Sequence, residues 1–382
     1  FDTLVEELSV RLVNQYGMDV TVYCRSNYYE QMQEYSSNVR CVYIAAWRIK
    51  GIESLLHTFV TAIHAVTKRF DIFFIVDPAN APIGMLLKLL GKKVVIHTDG
   101  LGWKRRKWGR LSRKYYRWVE FLCAKYIKTI VTDNPVMREY YITNYKRDSE
   151  CIAYGAENLS GLNDKVLYEL GIGNKHYLLV VARLEQENNT DIIIREYVAS
   201  KVDIPLVIVG DAPYDREYME TLKGLANKRV FFVGRVDDQA KLNTLYAEAY
   251  LYIHGHEVGG TNPSLLRAMG LGTAPLVIDV PFNTSVIEDC GFVFGSNEGE
   301  LSRVLVELVN DPGLVKEKGS MAKGSRRTTP CAPKAAAVVS EPMVAAMYTP
   351  SVQSRASVTK GTVVERRPPK MKASIFTPAG SS

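Results

Sequence analysis

Three stretches of this 382-residue chain combine glycine, basic and hydrogen-bonding residues at spacings suited to holding an anion. The most informative covers 252–270, where an apolar strand runs into a glycine-rich loop and then a helix. Asn262 is a good N-cap, and Pro263 suits the first helical position. Gly259 and Gly260 let the backbone approach a ligand closely. Free N–H groups and the dipole at this helix start favour a phosphate, although an ordinary capped turn reads the same way. His254, His256 and Glu257 are close enough to suggest a metal, but no further ligand cluster supports one.

The second stretch, 181–189, places Arg183 at the carboxyl end of an apolar strand, where open α/β sheets bind ligands. A guanidinium there suits a diphosphate held bidentately, or is plain surface charge. In the third, 97–108, His97 and Asp99 follow a strand and precede a glycine. Such a pair suits an acceptor hydroxyl or a structural turn. The helix that follows carries Arg106, Arg110, Arg113 and Arg117 on one stripe and Leu111, Tyr115, Trp118 and Leu122 on another. Eight basic residues and no acid lie between 104 and 117, beside Trp103, Trp108 and Trp118. That composition suits an amphipathic helix at an anionic membrane or one gripping a lipid pyrophosphate, or a core helix with a solvated basic face.

The elements that must position these groups alternate strand and helix twice. Strands are expected at 20–23, 41–45, 72–76, 94–98 and 129–132, with helices such as 3–13 and 52–68 between them. After a hinge at 156–175 the pattern resumes with strands at 177–181, 205–209, 230–232, 249–253 and 274–278, and helices at 191–197 and 239–248. Continuous apolar runs fit parallel sheets covered on both faces. The fold class expected is therefore α/β, with two doubly wound Rossmann-like domains at 1–158 and 159–320. From about Ala322 the composition changes: no Leu, Trp, Asp or Asn, and seven of the sixteen prolines. A tail over 321–382 with no sustained period is expected to be disordered.

Composition narrows the function classes. Hydrophobic residues are 47% and charged residues 23%, the balance of a soluble globular protein. No apolar run reaches the roughly 18 residues of a membrane-spanning helix, and no charged-then-apolar leader is visible. The net charge of +7 resides in the tail, where ten basic and two acidic residues give +8 and leave −1 for the rest. A nucleic-acid partner is therefore not implied. Six well-separated cysteines (Cys24, Cys41, Cys123, Cys151, Cys290, Cys331) point to a reducing, cytoplasmic compartment rather than a disulfide scaffold.

Taken together, these motifs resemble the retaining glycosyltransferases of GT-B fold in the family 4 grouping, and within it a rhamnosyltransferase-like branch. The resemblance spans roughly 1–320. It is carried by Phe-Asp-Thr-Leu-Val-Glu-Glu-Leu at 1–8, Asp-Gly-Leu-Gly-Trp-Lys-Arg at 99–105 and Tyr-Gly-Ala-Glu at 154–157. Arg-Leu-Glu-Gln-Glu-Asn-Asn at 183–189, Gly-Asp-Ala-Pro-Tyr at 210–214, His-Gly-His-Glu-Val-Gly-Gly-Thr-Asn-Pro-Ser-Leu-Leu at 254–266 and Val-Pro-Phe-Asn at 280–283 continue it.

The resemblance implies two domains facing across a cleft, a nucleotide-sugar donor bound mainly by the C-terminal one, and no catalytic metal or other cofactor. Arg183 would contact the diphosphate, together with amides of Gly259, Gly260, Thr261 and Asn262. Gly234 and Arg235 would lie near the base, and His97 and Asp99 on the acceptor side. The acceptor would be a glycan or lipid-linked sugar, with Trp103 and the arginine stripe at the inner membrane surface. Departures accompany the match. Where the wider family has two glutamates eight positions apart, this chain has Gly259 and Arg267, the second at a position that normally accepts hydrogen bonds from the ribose. Asn188 stands for a phosphate lysine, and Gly102 for a glutamate. These changes also fit a nucleotide-sugar-binding pseudoenzyme, and a sugar-nucleotide epimerase shares the architecture. The family begins with a strand and glycine-rich turn just ahead of the segment at Phe1, so the N-terminal sheet is expected to lack its first, central strand and leave neighbours unpaired. The tail is expected to be a shifted reading frame.

Overall fold

The computed structural model describes residues 2–26, 39–46, 53–105, 108–152, 154, 165–173, 176–212, 215–324 and 371–376. Among them lie two wholly parallel sheets. The N-terminal sheet contains β1 (Asp19–Arg25), β2 (Arg40–Ile44), β3 (Ile72–Val76), β4 (Lys93–Thr98), β5 (Thr129–Thr132) and β6 (Glu150–Cys151). The C-terminal sheet contains β7 (Leu178–Val181), β8 (Leu206–Val209), β9 (Val230–Gly234), β10 (Leu251–His254), β11 (Pro275–Ile278) and β12 (Phe292–Phe294), in the order β12-β11-β10-β7-β8-β9. The remaining strand, β13 (Lys372–Phe376), belongs to the N-terminal sheet, whose order is β2-β1-β13-β3-β4-β5-β6.

The central strands are mainly apolar because helices cover both faces. In β3 the run Ile-Phe-Phe-Ile-Val is buried at every position. Phe73 and Ile75 face a core shared with the helices Ala81–Leu89 and Arg110–Tyr126, while Ile72, Phe74 and Val76 face one shared with the helix Asp2–Tyr16. The C-terminal sheet is sandwiched likewise: Leu178 and Val180 pack on one side, Leu179 and Val209 on the other. Burying a large aliphatic side chain contributes about 1.5–3 kcal/mol, so both sheets are rigid platforms for the loops at their carboxyl ends.

The ten strands and four helices read from the sequence form within a few residues of the expected limits. Two expectations about the tail do not hold. Packed structure continues past 320, because the helix Pro312–Gly324 buries Val315, Gly319 and Ala322. Residues 372–376 form β13, whose Ala373, Ile375 and Phe376 are buried. The slot between β1 and β3, expected to stand empty, is thus occupied. The segment was illegible by composition because five residues in a Pro- and Ala-rich run show no period, yet two open strand edges supply its partners. The rest of the tail lies outside the described residues, as do Arg106 and most of the expected hinge.

Candidate functional site

Loops at the carboxyl ends of the two sheets face each other, and three consecutive N-terminal strands, β3, β4 and β5, are each followed directly by an aspartate. Asp77 follows β3, Asp99 follows β4 and Asp133 follows β5. Asp77 accepts the Ala79 N–H at 2.8 Å and caps a short 3-10 turn at φ 78°. Burial, then the nearby charge of Asp99, pushes its carboxyl up to about 6. Burial raises Asp99 too, and raises Asp133 well above the usual carboxylate range, with Asp99 adding to the effect. Arg105, despite its burial, is kept firmly protonated by Asp99, Glu187 and Asp77. It lies 4.0 Å from Glu187 of the other domain. His97 is 1% exposed within β4, 6.3 Å from the Phe74 ring and 6.0 Å from the Tyr154 ring. Burial drives its imidazole down to about 3, so it is neutral at physiological pH. The structure therefore sets Asp99 in the cleft and His97 in the sheet beneath it.

On the opposite wall the strand-loop-helix motif forms as its sequence requires. β10 leads into a loop and then the helix Pro263–Leu271, whose N-cap Asn262 accepts the Ser264 N–H at 3.0 Å. Tyr252 Oη donates to Ser264 Oγ (2.8 Å) and lies 2.9 Å from His254 Nδ1. His254 and His256 stack in parallel at 4.3 Å. Burial keeps both imidazoles neutral, His256 at about 3 and His254 well below its usual value. Two neutral, stacked rings shape the floor of the loop. Among the described residues no group of three His, Cys, Asp or Glu is placed to hold a metal.

The two walls meet at this loop. Thr261 N–H donates to Asp133 Oδ2 (2.9 Å), and Thr261 Oγ1 donates to the Asp133 carbonyl (2.8 Å). Asn134 reaches the Phe282 carbonyl at 3.4 Å. The contact depends on glycine: a Cβ on Gly260 would collide with both Asp133 oxygens, and one on Gly100 would stand 2.7 Å from the Gly259 carbonyl carbon. Asp133 Oδ1, buried, has no hydrogen-bond partner among the described residues. An acidic side chain thus occupies the amide that the motif offers to an anion.

The remaining expected donor-side residues lie on loops and helices of the C-terminal domain. Arg183, 40% exposed beyond β7, lies 3.5 Å from Glu185. Asn188 spends its amide on the Arg183 carbonyl at 2.7 Å and orders the loop. Gly234 ends β9 at φ 77°, and the exposed Arg235 pairs with Asp237 at 2.6 Å. Arg267 donates to Gln239 at 2.9 Å, bridging two helices of its own domain. Gly102 has a local cause: a Cβ there would stand 2.7 Å from the Tyr116 ring. Asp77 and Asp133 escaped notice in the sequence, although an Asp directly after an apolar strand was the available signal.

A cavity of about 360 Å³ lies between the helices Arg110–Tyr126 and Pro135–Tyr145. Trp103, Lys104, Arg117 and Tyr140 line it, with the Arg117 guanidinium 4.3 Å from the Trp103 ring centre. Behind it Glu120, 1% exposed, accepts the Tyr140 hydroxyl at 2.9 Å. Burial raises its carboxyl to about 7. Arg110, Arg113 and Arg117 are exposed, as are Leu111 (84%) and Trp118 (50%), whereas Leu122 is buried. No described helix is long and apolar enough to cross a membrane.

Comparison with known proteins agrees with this architecture. Residues 1–157 match a domain of unknown function (DUF1972), and 168–327 match glycosyl transferases group 1. No curated protein sequence matches the chain. Among solved structures it is similar to sucrose-phosphate synthase from Thermosynechococcus elongatus (TM-score 0.72, 15% identity, 85% of this chain and 87% of that one). It is also similar to WaaG, a glycosyltransferase involved in lipopolysaccharide biosynthesis (0.65, 17%, 90% and 94%). A third likeness is to Anabaena HepE in complex with UDP and glucose (0.65, 13%, 80% and 94%). At these identities the likeness concerns the fold. The chain has the two-domain GT-B fold, and its residues 168–327 match the glycosyl transferases group 1 model.

Proposed function

We propose that this protein transfers a sugar, with rhamnose the first candidate, from a nucleoside-diphosphate donor to a glycan or lipid-linked acceptor with retention of configuration. The observation that carries the reading is the Thr261 N–H, which already holds a carboxyl oxygen at a helix start, with the Arg183 charge acting on His256 of the same loop and on Asp99. A donor diphosphate would displace Asp133 there. Arg183 and the loop amides would then stabilise the charge that develops as the bond from the sugar anomeric carbon to phosphate oxygen breaks. The acceptor hydroxyl, oriented by Asp99, would form the new bond on the same face and pass its proton to the departing phosphate oxygen. Holding both substrates in one cleft supplies their orientation. The complex of HepE with UDP and glucose is consistent with such a donor.

The basic, aromatic surface of the helix Arg110–Tyr126 would dock on the anionic inner face of a membrane, placing the Trp103 cavity beside a lipid-linked acceptor. No metal or other cofactor is assigned a role. The test is incubation with a panel of nucleotide sugars and a lipid-linked acceptor, following sugar transfer and release of nucleoside diphosphate. Transfer that disappears in Arg183→Ala is expected; absence of any nucleotide binding across the panel refutes the reading. One observation favours a second reading. Arg267 is tied to Gln239 and has no acceptor to offer a ribose, which fits a nucleotide-sugar-binding pseudoenzyme. Binding without turnover would select it.

A further inference from the structure

The order of strands in the N-terminal sheet carries an inference about how this chain is put together. One common order of strands across a doubly wound sheet is 3-2-1-4-5-6. If β13 is taken as strand 1, then β1, β2, β3, β4, β5 and β6 become strands 2 to 7, and the observed order reads 3-2-1-4-5-6-7. The order is that one, with residues 372–376 in the place of strand 1.

β13 is fully integrated. It pairs in parallel with β1 from Asp19↔Lys372 to Tyr23↔Phe376, and with β3 from Ala373↔Ile72 to Phe376↔Ile75. The Asp19 N–H donates to the Met371 carbonyl and the Asp71 N–H to that of Lys372, both at 2.9 Å. Lys372 N–H donates to Asp71 Oδ2 at 2.8 Å. Ile375 is buried among Val22 and Phe74, and Phe376 meets the Tyr23 and Phe73 rings edge-on at 5.6 and 6.0 Å. Without this segment β1 and β3 would both be open edges in the middle of a sheet. The helix Asp2–Tyr16, which leads into β1, packs Val5, Leu8 and Leu12 in the same cluster as Ile375. β13, that helix and β1 therefore stand in the relation of a βαβ unit that is not continuous in sequence.

We infer that the slot between β1 and β3 is a strand-acceptor site and that segment 371–376 of the same chain is its separable occupant. The mode is strand addition, in which main-chain hydrogen bonds give affinity and alternate side-chain pockets give register.

Three forms of the full chain test this by amide hydrogen exchange, with β7 and β8 as the internal control. In Ile375→Asp, protection of β1 and β3 amides falls by about 100-fold while β7 and β8 keep theirs. Adding a synthetic peptide of sequence 371–382 restores it, and the same peptide bearing Ile375→Asp does not. In a reordered chain, with 371–382 placed ahead of Phe1 and the rest unchanged, β1 and β3 are protected as in the parent and the Tm is the same. The reordered chain carries no disruptive substitution, so it remains decisive if Ile375→Asp fails to fold. The inference is overturned if Ile375→Asp leaves β1 and β3 protected, if both peptides rescue alike, or if the reordered chain loses that protection. It is also overturned if protection in the parent appears only in dimers, since the strand then comes from a second copy.

Discussion

Asp77→Asn tests the electrostatics of the cleft most directly. The Asp77 carboxyl is held at about 6 against an ordinary 3.8, by burial and then by Asp99. Below about pH 4 it is protonated in both folded and unfolded chains, so the substitution is neutral there. Between about pH 4 and 6 the unfolded chain ionises first, and the folded state loses about 1.4 kcal/mol per pH unit. Above about pH 6 both are ionised and the deficit stays constant at about 3 kcal/mol. Asparagine removes that deficit. It also keeps the Oδ1 that accepts the Ala79 N–H, and it tolerates the positive φ of 78°. The variant is expected to melt about 6–12 °C above the parent at pH 8. The assay is thermal unfolding by circular dichroism from pH 4 to 8. A gain as large at pH 4 as at pH 8 refutes the argument, as does no gain at pH 8.

Other expectations follow from the same geometry. Asp133→Ala frees the Thr261 N–H of its competing carboxyl oxygen, and a charge-assisted hydrogen bond from that N–H to phosphate, about 1.5 kcal/mol, gives about tenfold tighter nucleoside diphosphate binding by calorimetry. Unchanged affinity sinks the idea that Asp133 occupies the anion position. Arg183→Ala weakens the same binding by about 10- to 100-fold with no change in Tm, because the side chain is 40% exposed and its salt bridge is solvated. Gly260→Ala forces its Cβ onto the Asp133 oxygens, so the domains part; an unaltered radius of gyration by X-ray scattering would contradict this. Reversing Arg110, Arg113 and Arg117 to Glu abolishes co-sedimentation with anionic vesicles, while retained binding places the membrane contact elsewhere.

What the sequence determined by itself is local. Short apolar runs dictate most strands of both sheets, since a run such as Ile-Phe-Phe-Ile-Val has no stable place except between two layers of helix. The loop and cap at 259–263 follow from Asn262 and Pro263, whose preferences are properties of the residues themselves. Tertiary structure decided everything that depends on a partner distant in sequence. Thr261 faces Asp133, 128 residues away, and only the meeting of the two domains turns an open amide into an occupied one. Gly102 reads as a lost glutamate until the Tyr116 ring is seen against it. β13 is the clearest case. Lys-Ala-Ser-Ile-Phe has too little apolar surface to order itself, and it is a strand because β1 and β3, some 300 residues earlier, leave two rows of hydrogen-bonding groups for it to satisfy.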